Sequence, residues 1–356
     1  MNKKLFNLIA LCALLVLSFT SCSKDDDPIL DPIIPSEYIY ALNSGNMGNN
    51  NASLTMFDLK DGTVTKDIFE AQNGRRLGDT GQDIVIYGSK IYIAVFGEST
   101  IEVTDLEANS LKQIKTDGQP RYFAVYDGKV YVTYFNGYVA CIDTTNMNVE
   151  KTVKVGRNPE QLIVVGNKLY VANSGGLDYS TEAGYDKTVS VVDIASFTET
   201  KKIEVVINPS EIVYDNNGSV YVSSLGNYGD IPNTLQKINI SNDEVSVIQD
   251  FNGTYLASAG NILYTIFSQY DADWNQVISY YSYDMVNNRV LSDNFIGNTE
   301  IATPYQISYD AEYESLFIMS SDYINDGDVY IFDKTNTFIN KFKAGLNPMK
   351  AIYVKK

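Results

Sequence analysis

The residues able to do chemistry in this 356-residue chain are bounded first by an absence, because it contains no histidine. Ser-His-Asp triads, His-paired thiols and His-ligated zinc or haem are therefore excluded. Of three cysteines, Cys12 and Cys22 fall in the N-terminal leader. Cys141 stands alone in the apolar stretch "YVACID", where a small core residue is the simplest reading and no disulfide framework can form. Glu98, Glu160, Glu211, Asp271 and Asp273 could serve a lyase or a metal-dependent lactonase, but only if the fold made them converge on one acid, base or metal cage. "DADWN" from 271 and "NDGD" from 325 cluster oxygen ligands that could hold Ca²⁺. Both lack the spacing and terminal Glu of an EF-hand loop, so turn chemistry accounts for them better. "GNMGNNN" from 45 has no following helix and no suitably placed Lys, so it is not a phosphate loop.

What remains is binding chemistry. Seven segments are loaded with Asn, Gly, Ser and Tyr: "NSGNMGNNNAS" 43, "FGES" 96, "YFNG" 134, "NSGGLDYSTEAGYDK" 173, "LGNYGDIPN" 225, "SQYDADWNQ" 268 and "SDYINDGD" 321. Tyr supplies stiff amphipathic contact area, while Asn and Ser supply adaptable donors and acceptors, the mixture that antibody paratopes use. The candidate ligand-binding residues in these segments are Asn43, Phe96, Tyr134, Phe135, Asn173, Tyr179, Tyr185, Asn227, Tyr228, Tyr270, the single tryptophan Trp274, and Tyr323. Turns just ahead of other strands add Arg121, Tyr122, Asn158, Tyr255 and Tyr305, beside Arg157, Glu160, Glu211 and Gln306. The competing explanation is ordinary loop composition, with the tyrosines capping a central channel.

These segments recur because the chain repeats. Pro120, Pro159, Pro209, Pro304 and Pro348, with Gly81 and Thr254 standing in for two missing prolines, align at spacings of 39 to 50 residues. After each comes an apolar tetrad ("IVIY" 84, "FAVY" 123, "LIVV" 162, "EIVY" 211), then a polar turn, then a second apolar run such as "KIYIAV" 90, "KVYVTY" 129 or "KLYVAN" 168. A loop, a third strand and a fourth such as "EKTVKV" 150 complete the unit. Four short antiparallel strands per unit without helical periodicity specify an all-β fold, a β-propeller blade repeated. The second run is apolar at almost every position, as expected of a strand packed between blades on both faces. Tyr92, Tyr131, Tyr170, Tyr221 and Tyr264 share one position in it and belong to that packing.

The ends complete the ring. The chain stops at "NPMKAIYVKK", a first strand and nothing more. After the N-terminal 36 residues, it opens with "EYIYALNSG", "ASLTMFDL" and "TVTKDIFE", which read as second, third and fourth strands. Joining them makes a composite blade, hence a seven-bladed β-propeller over 37–356. The loops between second and third strands and the blade-joining turns then share one face, where binding usually resides on a rigid scaffold. Ahead of the propeller, Lys3, Lys4 and the apolar run Leu5 to Leu17 form a secretory signal over 1–21, too short to span a bilayer. Residues 22–36, with "SKDDD" and "PILDPIIPSE", read as a charged and Pro-stiffened tether. Without Lys3 and Lys4, the 27 basic residues become 25 against 44 acidic, a charge of about −19. That field repels nucleic acid, which is discarded as a partner.

"TSC" at the end of the signal resembles a bacterial lipoprotein leader, with Cys22 the lipidated first residue; an ordinary signal with a chance cysteine is the alternative. "SKDDD" is similar to the export signal of Bacteroidetes surface lipoproteins. The repeats, with their "P-x-x-apolar" turn and "K-apolar-Y-V-A-N" strand, resemble the YVTN/YncE-like propellers, and this likeness covers the mature chain. With the leader and the size, they resemble in particular the BtuG-type surface lipoproteins of gut Bacteroides. That resemblance implies an outer-membrane, surface-exposed lipoprotein anchored through Cys22. It also implies capture of cobalamin or a related corrinoid as ligand, and transfer to a TonB-dependent transporter of BtuB type. No catalysis and no cofactor are expected. A corrin has apolar edges and an amide fringe, which aromatic rings and side-chain amides would suit. A glycan-binding or adhesion propeller would use the same rim to stack on sugar rings.

Overall fold

The computed structural model describes residues 37–271, 273 and 275–356. The leader, Cys22, the tether and Trp274 lie outside them. Seven four-stranded antiparallel sheets form a seven-bladed propeller. Their innermost strands are Gly81–Tyr87, Pro120–Tyr126, Pro159–Val165, Pro209–Tyr214, Tyr255–Ala259, Pro304–Asp310 and Pro348–Lys355. Each begins at, or one residue after, the position where the repeats align. Proline fits there because a strand's first residue need not donate to the ladder. Tight hairpins close the opposite face. Between Tyr126 and Lys129, Asp127 and Gly128 both take positive φ (47° and 76°), the primed turn whose twist matches the flanking strands.

Burial peaks in the second strand of each blade and falls toward the outer edge. The second strand Lys129–Tyr134 is buried along nearly its whole length, whereas the outer strand Asn148–Lys154 is mostly exposed. The five equivalent tyrosines are all buried, each in an apolar cluster shared with the next blade. Tyr131, for example, packs with Leu162, Leu169 and Val171 and stacks on Phe197 at 6.2 Å. Cys141 lies in the same cluster, and burial pushes its thiol up, as befits an inert core residue.

The composite blade is formed as the ends require. Pro348–Lys355 pairs antiparallel with Glu37–Asn43, with Tyr40 facing Ile352, and Glu37–Asn43 pairs in turn with Ser53–Asp58. One segment departs from the sequence expectation. "TVTKDIFE" was expected as that blade's fourth strand, but only Val64–Thr65 pairs, and Ile68–Asn73 forms a short helix, α1. Asp67 adopts a left-handed conformation (φ 53°) that ends the strand. Ile68 and Phe69 then bury against the cluster between the composite blade and its neighbour, so tertiary packing overrides the strand propensity.

Removing the last strand should leave Glu37–Asn43 without its inner partner and open the ring. A chain ending at Leu346 is expected to elute as aggregate and to lose the cooperative thermal transition. A monodisperse truncated chain with an unchanged melting temperature would contradict ring closure as the source of stability.

Candidate functional site

Strand register fixes which loops share a rim. Pro120 faces Tyr134, Pro159 faces Asn173, Pro209 faces Ser224 and Pro304 faces Ser320. Each blade-joining turn therefore emerges beside the loop that follows a second strand. Three of these turns carry Asn-Pro, with Asn158, Asn208 and Asn347 at φ of 45°, 63° and 55°. Asn tolerates this left-handed region better than most residues, and each side chain ties loops down. Asn158 donates to the Phe135 carbonyl at 2.9 Å and accepts from the Leu177 amide at 3.1 Å, joining the loops of two blades. Asn208 donates to Gly226, and Asn347 to Gly45.

The longest loop is organised by Arg157. Its guanidinium donates to Asp178 at 2.7 Å and to the Gly184 carbonyl at 2.8 Å, while its backbone amide donates to Asp186 at 3.0 Å. This frame presents Tyr179 stacked on Tyr185, ring centroids 6.1 Å apart. Tyr228 and Tyr323 are held in left-handed conformations (φ 56° and 63°), which bulky side chains rarely adopt. Local caps over-determine both. Asn227 accepts from the amides of Gly229 and Ile231, and Ser321 Oγ accepts from the amide of Tyr323. Tyr323 in turn meets Tyr305 edge-on at 5.4 Å.

The rim carries the most exposed apolar side chains of the described residues. Ile324 (81%), Met47 (73%), Tyr228 (67%), Leu177 (65%), Tyr270 (64%), Tyr179 (63%) and Tyr323 (59%) all come from its loops, ahead of Ile339 (55%) on an outer strand. Scattered single residues would need no explanation, but here the exposed apolar side chains concentrate on one face.

The axis beneath is polar and charge-balanced. Arg121 makes a forked contact with Glu160, donates to Gln82 at 3.0 Å, and lies over the rings of Phe96, Tyr122 and Phe135. Lys350 pairs with buried Asp83 at 2.8 Å. Among the described residues, no cation pairs with Glu211. Gln161 and Gln306 donate to it, yet burial pushes its carboxyl up to about 8, with Glu160 adding repulsion. A cavity of about 340 Å³ lined by all seven inner strands, including Gln82, Tyr122 and Gln306, runs along the axis.

The sequence-selected residues divide by depth. Tyr179, Tyr228, Tyr270 and Tyr323 are exposed, and Phe96, Arg121, Tyr122, Tyr185, Asn227, Tyr255 and Tyr305 are half-buried. Asn43, Tyr134, Phe135, Asn158 and Asn173 are buried. The amide of Asn43 bonds Ser53, Thr55 and Gly345, and that of Asn173 bonds Thr188 and Ser190, so both hold strands together. Glu160 and Glu211 lie in the axis and not on the rim, because their strand positions point inward. In "DADWN", Asp271 accepts from the amides of Asp273 and Asn275, the turn chemistry that segment suggested, whereas in "NDGD" Asp326 and Asp328 open a strand and pair with Lys66 and Lys343. Among the described residues, no group of three or more metal-ligating side chains comes together. Met47, Leu177, Ile231 and Ile324 escaped the sequence reading, because isolated aliphatic residues in loops carry no periodic signal.

Fold and rim together define a β-propeller with an aromatic, loop-built face. The chain belongs to the family described as a domain of unknown function, DUF5074, which matches residues 38–341. Among solved structures it is similar to a quinonprotein alcohol dehydrogenase-like protein from Bacteroides thetaiotaomicron, with a TM-score of 0.62 and 14% identity over 89% of this chain and 78% of that one. It is also similar to hydrazine synthase from Kuenenia stuttgartiensis, with a TM-score of 0.60 and 15% identity over 76% of this chain and 93% of that one. At such identities the likeness shows the fold alone. No curated protein sequence matches the chain.

Glu211 gives stability a pH dependence. Folded, it keeps its proton up to about pH 8, whereas unfolded it ionises near 4.5. The native state thus binds the extra proton between those values. Its contribution is intact below pH 4.5, falls as pH rises, and levels off above 8. Glu211→Gln should be more stable than the parent at pH 8 by on the order of 3 kcal/mol, with little difference at pH 4.5. Urea unfolding at both pH values measures this, and an equal difference at the two would refute it.

Proposed function

We propose that this chain is a non-catalytic, cell-surface lipoprotein anchored through Cys22. It captures cobalamin or a related corrinoid and delivers it to a TonB-dependent outer-membrane transporter. The observation carrying this reading is the concentration of exposed tyrosines and aliphatic side chains on the loop rim. Such a face suits a large, rigid ligand with apolar edges and polar fringes, because little conformational entropy is lost on either side. The commitments of acidic groups on the rim and in the axis beneath it support binding over catalysis. Glu160 is committed to Arg121, Asp178 and Asp186 to Arg157, and Asp271 and Asp322 to turn amides. The leader and the repeat pattern, which resemble those of BtuG-type lipoproteins, add the ligand class and the transporter. The stacked pair Tyr179 and Tyr185 favours a second reading, in which the rim binds sugar rings of a surface glycan.

Calorimetry with cyanocobalamin tests the first reading. Micromolar or tighter binding is expected, weakened about tenfold by Tyr228→Ala or Tyr323→Ala, as for contact residues near an interface centre. Tyr131→Ala should leave affinity intact but cost about 3–4 kcal/mol of stability, because it empties an inter-blade site. Absence of binding at micromolar concentrations would sink the corrinoid reading, and a glycan array would then test the second.

A further inference from the structure

Between the loops of the fifth and sixth blades lies a cleft of about 550 Å³. The fifth blade lines it with Tyr228, Ile231 and Pro232, and the sixth with Tyr270. Tyr228 is fixed at both ends, its backbone by the Asn227 cap and its hydroxyl by a hydrogen bond with the Asn208 side chain. The two tyrosines belong to one array of rings. Desolvation raises the phenols of Tyr228, Tyr255 and Tyr323, and in each a neighbouring phenol adds to it: Tyr185 for Tyr228, Tyr323 for Tyr255 and Tyr270 for Tyr323. Tyrosines of four consecutive blades thus follow one another around the rim, and the cleft opens between two of them. Among the described residues that line it, none is basic. Its one acid, Asp271, spends its carboxylate on the amides of Asp273 and Asn275 and on the Asn275 side chain.

We infer that this cleft is a subsite for an uncharged, flat-faced ring of the ligand, packed against Tyr228 and Tyr270. The inference rests on the reading of the rim as a binding face. An anionic group would meet Asp271 and no cation, and a cationic one would meet a carboxylate already supplied with three donors. A flexible chain would lose rotamer freedom on entering, whereas a rigid ring loses little and offers an apolar face to the phenols. At this volume the cleft takes one ring with its substituents, not a whole macrocycle. Two ligand sources present such a ring: the heteroaromatic base of a complete corrinoid and the pyranose of a surface glycan.

The test is calorimetry of the mature chain beside Tyr270→Ala and Tyr270→Phe, changes at an exposed side chain that should leave the melting temperature unaltered. Three ligands serve as probes. Cyanocobalamin carries a benzimidazole base that dicyanocobinamide lacks, and cellotriose supplies pyranose rings alone. The parent protein should bind cyanocobalamin about tenfold more tightly than dicyanocobinamide. Tyr270→Ala should abolish that difference, and Tyr270→Phe, which keeps the ring, should preserve it. Binding of cellotriose but of neither corrinoid, lost in Tyr270→Ala and kept in Tyr270→Phe, would support the subsite while overturning the corrinoid reading. Equal affinity for the two corrinoids, or a difference that Tyr270→Ala retains, would overturn the subsite and leave the corrinoid reading standing. Failure of all three to bind, or binding of cellotriose alone that Tyr270→Ala leaves intact, would overturn both.

Discussion

Each blade of this ring buries its two faces against its neighbours, so no blade is complete until the first meets the seventh. The meeting is made by the pairing of Pro348–Lys355 with Glu37–Asn43. Around it, Ile39 and Phe57 of the composite blade pack with Phe317, Val329 and Phe342 of the seventh. Polar ties cross the same seam: Asn43 accepts from the Gly345 amide and Asn347 donates to the Gly45 carbonyl, both at 2.8 Å. The entropic cost of joining residues so far apart grows only logarithmically with loop length. The closure therefore yields far more buried surface than it costs in chain entropy, and it removes two open sheet edges that would template aggregation.

A closed ring is rigid, and rigidity allows one rim to carry unfavourable groups. Exposed tyrosines in left-handed conformations cost stability. They persist because caps, Asn-Pro turns and the Arg157 frame leave the loops little choice. A ligand meeting such a surface need not order it first, which is the advantage of preorganisation. The rim is thus a set of loops held by backbone-directed side chains, with the contact groups displayed above.

The axis shows the same economy in electrostatic form. The whole chain is strongly acidic, yet the channel pairs Arg121 with Glu160 and Lys350 with Asp83 and keeps Glu211 protonated near neutrality. Removing one member of such a pair would strand a buried charge, so these contacts specify orientation more than they add stability. Arg121, roofed by Phe96 and Phe135, separates this polar interior from the aromatic rim.

Blade number, strand order, the composite closure and the face carrying variable loops were all legible in the amino-acid sequence. They depend on period-two hydrophobic patterning and on turn residues, and both are local properties repeated enough times to be read. The "TVTKDIFE" segment escaped because its helix forms only where Ile68 and Phe69 find an inter-blade pocket. The candidate site was legible as a composition but not as an arrangement. Asn43, Asn158 and Asn173 have the same residue type as any ligand contact, and only their neighbours in space reveal that their amides hold loops and strands together. Burial and hydrogen-bond satisfaction are relations between distant segments, so the sequence determined the scaffold and its displayed rim, while tertiary packing decided which side chains of that rim hold loops together and which stand exposed on it.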